Sequence, residues 1–141
     1  MEKKDTSKIV EELKLTPAFS DFYDENKIYM VDTTLSEMIN GLMEQKGLKK
    51  KDVVKASEIS ETYAYQILSG MRVPDRKKLL CLAFGMKLSL DETQKLLKCA
   101  GYAPLYVKLP FDCVVIYGLT KGLSVVGTNE LLYEYGEETL G

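Results

Sequence analysis

The sequence predicts an all-α protein. Apolar residues recur at intervals of three and four along much of the chain, a period typical of amphipathic helices. Serine or aspartate precedes several of these stretches and glycine follows them, as expected at the starts and ends of helices. The chain of 141 residues is long enough for one domain, or for one small domain with an appendage. Its 45% hydrophobic and 28% charged residues are ordinary for a soluble globular protein.

The segment from 48 to 70, LKKKDVVKASEISETYAYQILSG, predicts two short helices joined by a tight turn. The inward-facing residues are expected to be Val53, Val54 and Ser57 on the first helix, and Ala64, Ile67 and Leu68 on the second. Ile59 packs in the turn and Gly70 ends the second helix. Because helices this short cannot bury their apolar faces alone, further helices are expected at 33–47 and 75–86.

This segment resembles the helix-turn-helix of phage-repressor-like (Xre/Cro-type) DNA-binding proteins, and the similarity covers about residues 33–88. The matching residues are Val53 in the first helix, Ile59-Ser60 at the entry to the second, Gln66-Ile67 and Gly70 at its end, and Val73-Pro74 beyond it. The sequence departs from the family in the turn, where Glu58 replaces the usual glycine. A left-handed residue other than glycine costs about 1 kcal/mol, which a packed domain tolerates.

The resemblance implies both a fold and a function. The expected organisation is an acidic, partly helical segment at 1–31, a lambda-repressor-like helix-turn-helix domain at 32–88, and a C-terminal helical extension at 89–141. The expected function is that of a DNA-binding transcriptional regulator acting as a homodimer. Its recognition helix, about residues 60–69, would enter the major groove of double-stranded DNA.

Base contacts are expected on the exposed side of the recognition helix. Family analogy assigns them to Glu61, Thr62 and Gln66, and glutamine pairs with adenine in the major groove. Tyr63 and Tyr65 complete the set, because a tyrosine can hydrogen-bond a phosphate or contact a thymine methyl group. Either ring would fit equally well as cover for the surface of its own domain.

Positive charge is concentrated around the same segment. Residues 46–78 contain nine lysines and arginines against four acids, a net charge of +5, although the whole chain carries −2. At the start of the first helix, lysines are unfavourable by a few tenths of a kcal/mol each unless an anion is bound. The alternative interpretation of this basic cluster is a solvated face that binds no ligand. The expected phosphate contacts are Lys49, Lys50, Lys51, Ser60, Arg72 and Arg76.

The C-terminal part contains a repeat of 35 residues. Leu88-Ser89-Leu90 recurs as Leu123-Ser124-Val125, and Gly101 recurs as Gly136. Each copy predicts an apolar helix, a short turn and an amphipathic helix that a serine caps, with Glu92 completing a capping box in the first copy only. The stretch Val114–Tyr117 alone would also fit a strand, and the repeat favours a helix.

The two ends of the chain are acidic. The last segment, from Glu130 to Gly141, fits either a packed terminal helix or a surface for a protein partner or a second subunit. At the other end, short helices are expected around 7–15 and 17–26, and the apolar stretch 28–31 links them to the rest of the chain.

Composition argues against several other classes of protein. There is no histidine, and Cys81, Cys99 and Cys113 are far apart, so we expect buried, reduced thiols, no metal and a cytoplasmic location. No apolar run approaches the roughly 20 residues of a membrane-spanning helix. No catalytic or cofactor motif is present, so no enzyme and no cofactor are expected. The alternative function is a protein-interaction module or antitoxin-like adaptor of helix-turn-helix fold with little or no DNA binding, which the acidic Glu58 and Glu61 favour.

Overall fold

The structure, a computed structural model, describes residues 5–27 and 34–141, and in these ranges every regular element is helical. The helices form two compact groups. The first contains α1 (Thr6–Leu15) and α2 (Phe19–Asn26). The second contains α3 (Leu35–Lys46), α4 (Lys50–Ala56), α5 (Glu61–Leu68), α6 (Arg76–Gly85), α7 (Leu90–Cys99), α8 (Pro110–Lys121) and α9 (Val125–Glu134). The all-α prediction is confirmed for the described residues.

The first group is a helical pair close to its predicted position. Asp5 caps α1 by accepting a hydrogen bond from Ser7 N, with a donor–acceptor distance of 3.3 Å. Asn26, at the end of α2, ties the two helices together because its Nδ2 donates to Glu12 Oε2 at 3.2 Å. The predicted link at 28–31 lies outside the described residues.

The second group is built around α6. Every residue from Leu79 to Met86 is buried, because α4 packs on one side of this helix and α9 also contacts it. The approach of α4 is close: a Cβ on Gly85 would lie 2.2 Å from Ser57 Oγ and 2.8 Å from Val53 O. Glycine at 85 therefore sets how near α4 lies to α6, and it fixes the position of α4 and α5 on the core.

The internal repeat is present in three dimensions. Ser89 and Ser124 cap α7 and α9, the capping box of Ser89 and Glu92 forms, and Val114–Tyr117 lies within α8. Gly101 and Gly136 follow the two helices with φ of 78° and 74°, in the left-handed region. The helix prediction for Val114–Tyr117 is thus confirmed.

Each copy also contains a side-chain clamp. Gln94 of α7 donates through Nε2 to Leu105 O at 2.9 Å and accepts from Leu105 N at 2.7 Å. In the second copy, Asn129 of α9 bonds both backbone groups of Leu140, at 3.4 and 2.7 Å. Leu105 and Leu140 are 35 residues apart and are both 5% exposed. The repeated hairpin therefore includes the extended segment that returns along its second helix.

The cysteines only partly meet the expectation. Cys81 is buried in α6, but Cys99 is half-buried and Cys113 is exposed, so the prediction of three buried thiols is wrong. Cys113 lies on the outer side of α8, where the apolar pattern of the sequence is not matched by a covering element. None of the described helices combines the length and the apolar character needed to cross a membrane.

Candidate nucleic-acid interface

The predicted lysine cluster lies at the start of α4. Lys49 is the residue that precedes the helix, and its side chain makes no capping hydrogen bond. Lys49, Lys50 and Lys51 are all exposed. Asp52 is the only acid in the first turn of this helix, so the surface around the start of α4 is positively charged.

The turn between α4 and α5 is fixed by local hydrogen bonds. Ser57 Oγ donates to Val53 O at 2.6 Å, and Ser60 Oγ accepts from Tyr63 N at 3.2 Å as the cap of α5. Glu58 has a φ of 59°, so a glutamate adopts the left-handed conformation that was expected at this position. These bonds set where α5 begins and which of its residues face outward.

Helix α5 buries the residues that were predicted to face inward, and three of its five predicted contact residues are exposed. Ala64, Ile67 and Leu68 are at most 3% exposed and belong to the core. Glu61, Thr62 and Tyr65 are exposed, whereas Tyr63 and Gln66 are half-buried. The exposed side of α5 is therefore polar and aromatic, and it is available for contact with another molecule.

The polar side of α5 continues onto α4 across two neighbouring depressions. One is lined by Lys51, Val54, Lys55, Glu58, Ile59, Ser60, Glu61 and Tyr65, and the other by Glu61, Thr62, Tyr65, Gln66, Ser69 and Met71. Glu61 and Tyr65 belong to both, so the two depressions form one surface. We call the residues that line them the α4–α5 surface. It brings together the predicted residues Lys51, Ser60, Glu61, Thr62, Tyr65 and Gln66.

Arg72 joins this surface through a side-chain network. Its Nε donates to Gln66 Oε1 at 2.9 Å, and its guanidinium carbon lies 5.0 Å from the centre of the Tyr63 ring. Lys78 Nζ lies 5.6 Å from the same ring. Met71 N and Arg72 N both donate to Gln66 O, which holds the loop after α5 against the helix. Arg72 thus keeps both terminal nitrogens available beside Gln66.

Arg76 is placed elsewhere. Its Nη1 and Nη2 donate to the two carboxylate oxygens of Asp112 at 3.1 and 3.0 Å, and Asp112 is 3% exposed. Its Nε donates to Ala103 O at 3.1 Å. Because these bonds direct the guanidinium toward α8 and the loop before it, Arg76 is removed from the set of expected phosphate contacts. An arginine at the start of a helix gives no sequence signal for such a buried partner 36 residues away.

Sequence reasoning did not single out Lys55 and Lys78 as site residues. Lys55 lies four residues after Lys51 and therefore on the same face of α4, which was a signal available in the sequence. Lys78 reaches the site only because α6 packs near α5 and brings its side chain to Tyr63. Only the tertiary structure reveals that proximity.

We compared the chain with known protein families, curated protein sequences and solved structures, and none of them matches it.

Proposed function

We propose that this protein is a DNA-binding transcriptional regulator of the phage-repressor-like kind, in which α4 and α5 are the helix-turn-helix. The observation that carries the proposal is the α4–α5 surface. The polar residues of α5 are exposed on it, lysines of α4 adjoin them on one side, and Arg72 adjoins them on the other. This distribution suits a helix that reads base edges between two positively charged flanks.

The dimensions and side chains of α5 support the same proposal. Eight residues at about 1.5 Å each make a helix of about 12 Å, which is close to the width of the major groove. Thr62, Glu61 and Tyr65 would approach base edges. Gln66 would donate through Nε2, because its Oε1 already accepts from Arg72.

Phosphate contacts would come from both sides of the helix. Lys50, Lys51 and Lys55 of α4, with Lys49 just before the helix, would contact the phosphates of one DNA strand. Arg72 would meet the backbone with its two free terminal nitrogens, since Tyr63 and Gln66 hold its guanidinium in place. The resemblance also implies a homodimer, whose two recognition helices would read successive half-sites.

The test is binding of the full chain to duplex DNA from the region upstream of its own coding sequence, beside a scrambled duplex, across a salt series. We expect preference for the natural duplex and a steep fall of affinity with salt, because bound lysines and arginines release counterions from DNA. Gln66→Ala should reduce the preference between the two duplexes by about tenfold.

Lys51→Ala should weaken binding to both duplexes equally and make the salt slope shallower by about 1. Lys95→Ala is the matched control, since Lys95 is exposed on α7 outside the α4–α5 surface. Absence of binding at low salt would contradict the regulator proposal. Binding that Lys95→Ala and Lys51→Ala weaken equally would contradict the proposed surface.

A further inference from the structure

The two hairpins of the repeat, α6–α7 and α8–α9, each have an outer face, by which we mean the face turned away from the other hairpin. On α8–α9 this face contains Val114, Tyr117, Leu131 and Tyr135. Counting back 35 residues gives the corresponding residues of α6–α7, which are Leu79, Leu82, Leu96 and Ala100. The same face of the same motif is therefore present twice in one chain, and its two environments can be compared.

The outer face of α6–α7 is covered. Leu79, Leu82 and Leu96 are at most 1% exposed, and α4 packs on α6 while α3 packs on α7. Lys78 Nζ lies 5.6 Å from the ring centre of Tyr63 in α5, so the cover reaches across to that helix. In this hairpin the outer face is a helix-binding surface whose helices belong to the same chain.

The outer face of α8–α9 is open. Tyr117 is 50% exposed and Tyr135 is 70% exposed. Together with Val114, Leu131 and the exposed Cys113, they line a groove of about 560 Å³, which Pro110 and Glu137 also line. Val114 and Leu131 are half-buried between the two exposed tyrosines. Exposed aromatic side chains that gather with aliphatic ones in a groove are typical of a surface that another protein covers.

The charges at the two ends of this groove are opposite. Lys121 ends α8 at the turn between the helices, and its Nζ lies 5.9 Å from the centre of the Tyr117 ring. Glu134 and Glu137 lie at the far end, where α9 finishes near the start of α8. A surface with a cation at one end and acids at the other is complementary to itself when two copies meet antiparallel.

We infer that the outer face of α8–α9 binds the outer face of α8–α9 in a second copy of this chain, through a two-fold axis. Tyr117 and Tyr135 of both copies fill the centre of the interface. Lys121 of each copy faces Glu134 and Glu137 of the other. The interface uses none of the residues of the α4–α5 surface, so dimerisation and DNA binding are separate properties.

The first experiment measures the mass of the full chain in solution without DNA, by sedimentation equilibrium up to about 100 μM, a range that detects micromolar dimers. We expect a dimer for the natural sequence. Tyr117→Glu should raise the dissociation constant by at least about tenfold, because it places a charge in the apolar centre of the interface.

Tyr133→Glu is the matched control. Tyr133 is 81% exposed, and it lies about 200° around α9 from Leu131, away from the groove. The same substitution there should leave the dissociation constant unchanged. A natural chain that stays monomeric overturns the inference and leaves the groove to a different partner. A dimer that Tyr117→Glu does not weaken overturns it as well.

Charge reversal tests the antiparallel arrangement with variants altered only at the two ends of the groove, where Lys121 and Glu134 are exposed and Glu137 is half-buried. Lys121→Glu alone, and Glu134→Lys with Glu137→Lys, should each weaken the dimer by about fivefold, a value suited to exposed ion pairs. All three substitutions in one chain should restore it. Mixing the two weakened variants should yield heterodimers, because both of their charge contacts are then complementary. A triple variant weaker than either parent overturns the antiparallel arrangement.

Discussion

The hairpins α6–α7 and α8–α9 follow one local plan and have different surroundings. Both have a serine cap at the start of the second helix, a left-handed glycine after it, and an amide side chain that clamps a returning leucine. Yet every residue of α6 from Leu79 to Gly85 is buried, while α8 leaves Cys113 and Tyr117 exposed. Local sequence rules therefore determine the shape of each hairpin, and the elements packed around it determine which of its faces remain open.

Two departures from the repeat mark the places where the hairpins meet. Asp112 corresponds to Lys77, and it receives the guanidinium of Arg76. Gly118 corresponds to Ala83, and the missing methyl group leaves room for Thr128 of α9 and Phe84 of α6. At both positions, the residue that differs between the copies contacts the other hairpin.

The largest effect is expected at Asp112. Asp112→Asn removes the charge that Arg76 faces and disturbs the bond from Tyr106 N at 2.9 Å, so it should lower the free energy of unfolding by about 3 kcal/mol. Urea denaturation measures the change. Glu138→Gln, in the exposed pair with Lys77, should have no measurable effect. Equal effects of the two substitutions would refute the idea that the buried pair joins the hairpins.

The reactivity of the thiols of Cys81 and Cys113 measures how far α6 and α8 are covered. Burial raises the pKa of Cys81 to about 11, while Cys113 is exposed. At pH 8, Ellman's reagent should modify Cys113 at least about a hundredfold faster than Cys81, because the thiolate is the reactive form. In guanidinium the two rates should converge. Comparable rates in the folded protein would show that α6 is accessible.

The raised pKa of Cys81 also predicts a pH dependence of stability. Its contribution is fully present below the unfolded pKa of about 9.0 and is lost as the pH rises toward about 11. The free energy of unfolding should therefore fall by up to about 2.7 kcal/mol over this window, and Cys81→Ala should lack that part of the decrease. Denaturation at several alkaline pH values measures it. An identical decrease in Cys81→Ala would assign the effect to other groups.

Gly118→Ala tests the contact between α8 and α9. Alanine normally stabilises a helix by about 1 kcal/mol relative to glycine. Here the new Cβ would lie 2.4 Å from Thr128 Oγ1 and 3.1 Å from Phe84, so we expect a net destabilisation of about 2 kcal/mol. Adding Thr128→Ala should recover more than half of it. Gly127→Ala, where the Cβ meets only ordinary contacts, should be neutral or stabilising.

The smallest effects are expected from the two clamps. Gln94→Ala leaves both backbone groups of Leu105 without their side-chain partner, which should cost about 1.5 kcal/mol. Asn129→Ala should cost about half as much, because one of its two bonds, from Nδ2 to Leu140 O, is long at 3.4 Å and therefore weak. Thermal denaturation compares the two variants. A larger loss from Asn129→Ala would contradict this view of the repeat.

Much of the candidate site was predictable because it depends on short-range rules. The cap at Ser60, the left-handed residue at Glu58 and the inward side of α5 follow from side-chain chemistry and helical period, and each is present. The exposure of Glu61, Thr62 and Tyr65 follows from the same period. These features need only the residues within one or two helical turns.

Long-range partners were not predictable in the same way. Nothing near Arg76 in the sequence indicates Asp112, and nothing near Gln94 indicates Leu105 as the residue it clamps. The contacts of Arg72 with Gln66 and Tyr63 join residues close in sequence, but they form only because the loop after α5 returns along that helix. Lys78 reaches Tyr63 from a different helix, α6.

The sequence by itself determined the helices, their caps and glycine stops, the repeat, and the polar side of α5, because these depend on local propensity and on period. Only the tertiary structure decided which arginine stays available, which thiol is buried, and which hairpin face remains open. Those properties depend on residues distant in sequence that packing brings within a few ångströms. An apolar stripe looks the same in the sequence whether its cover comes from the same chain or from a second one.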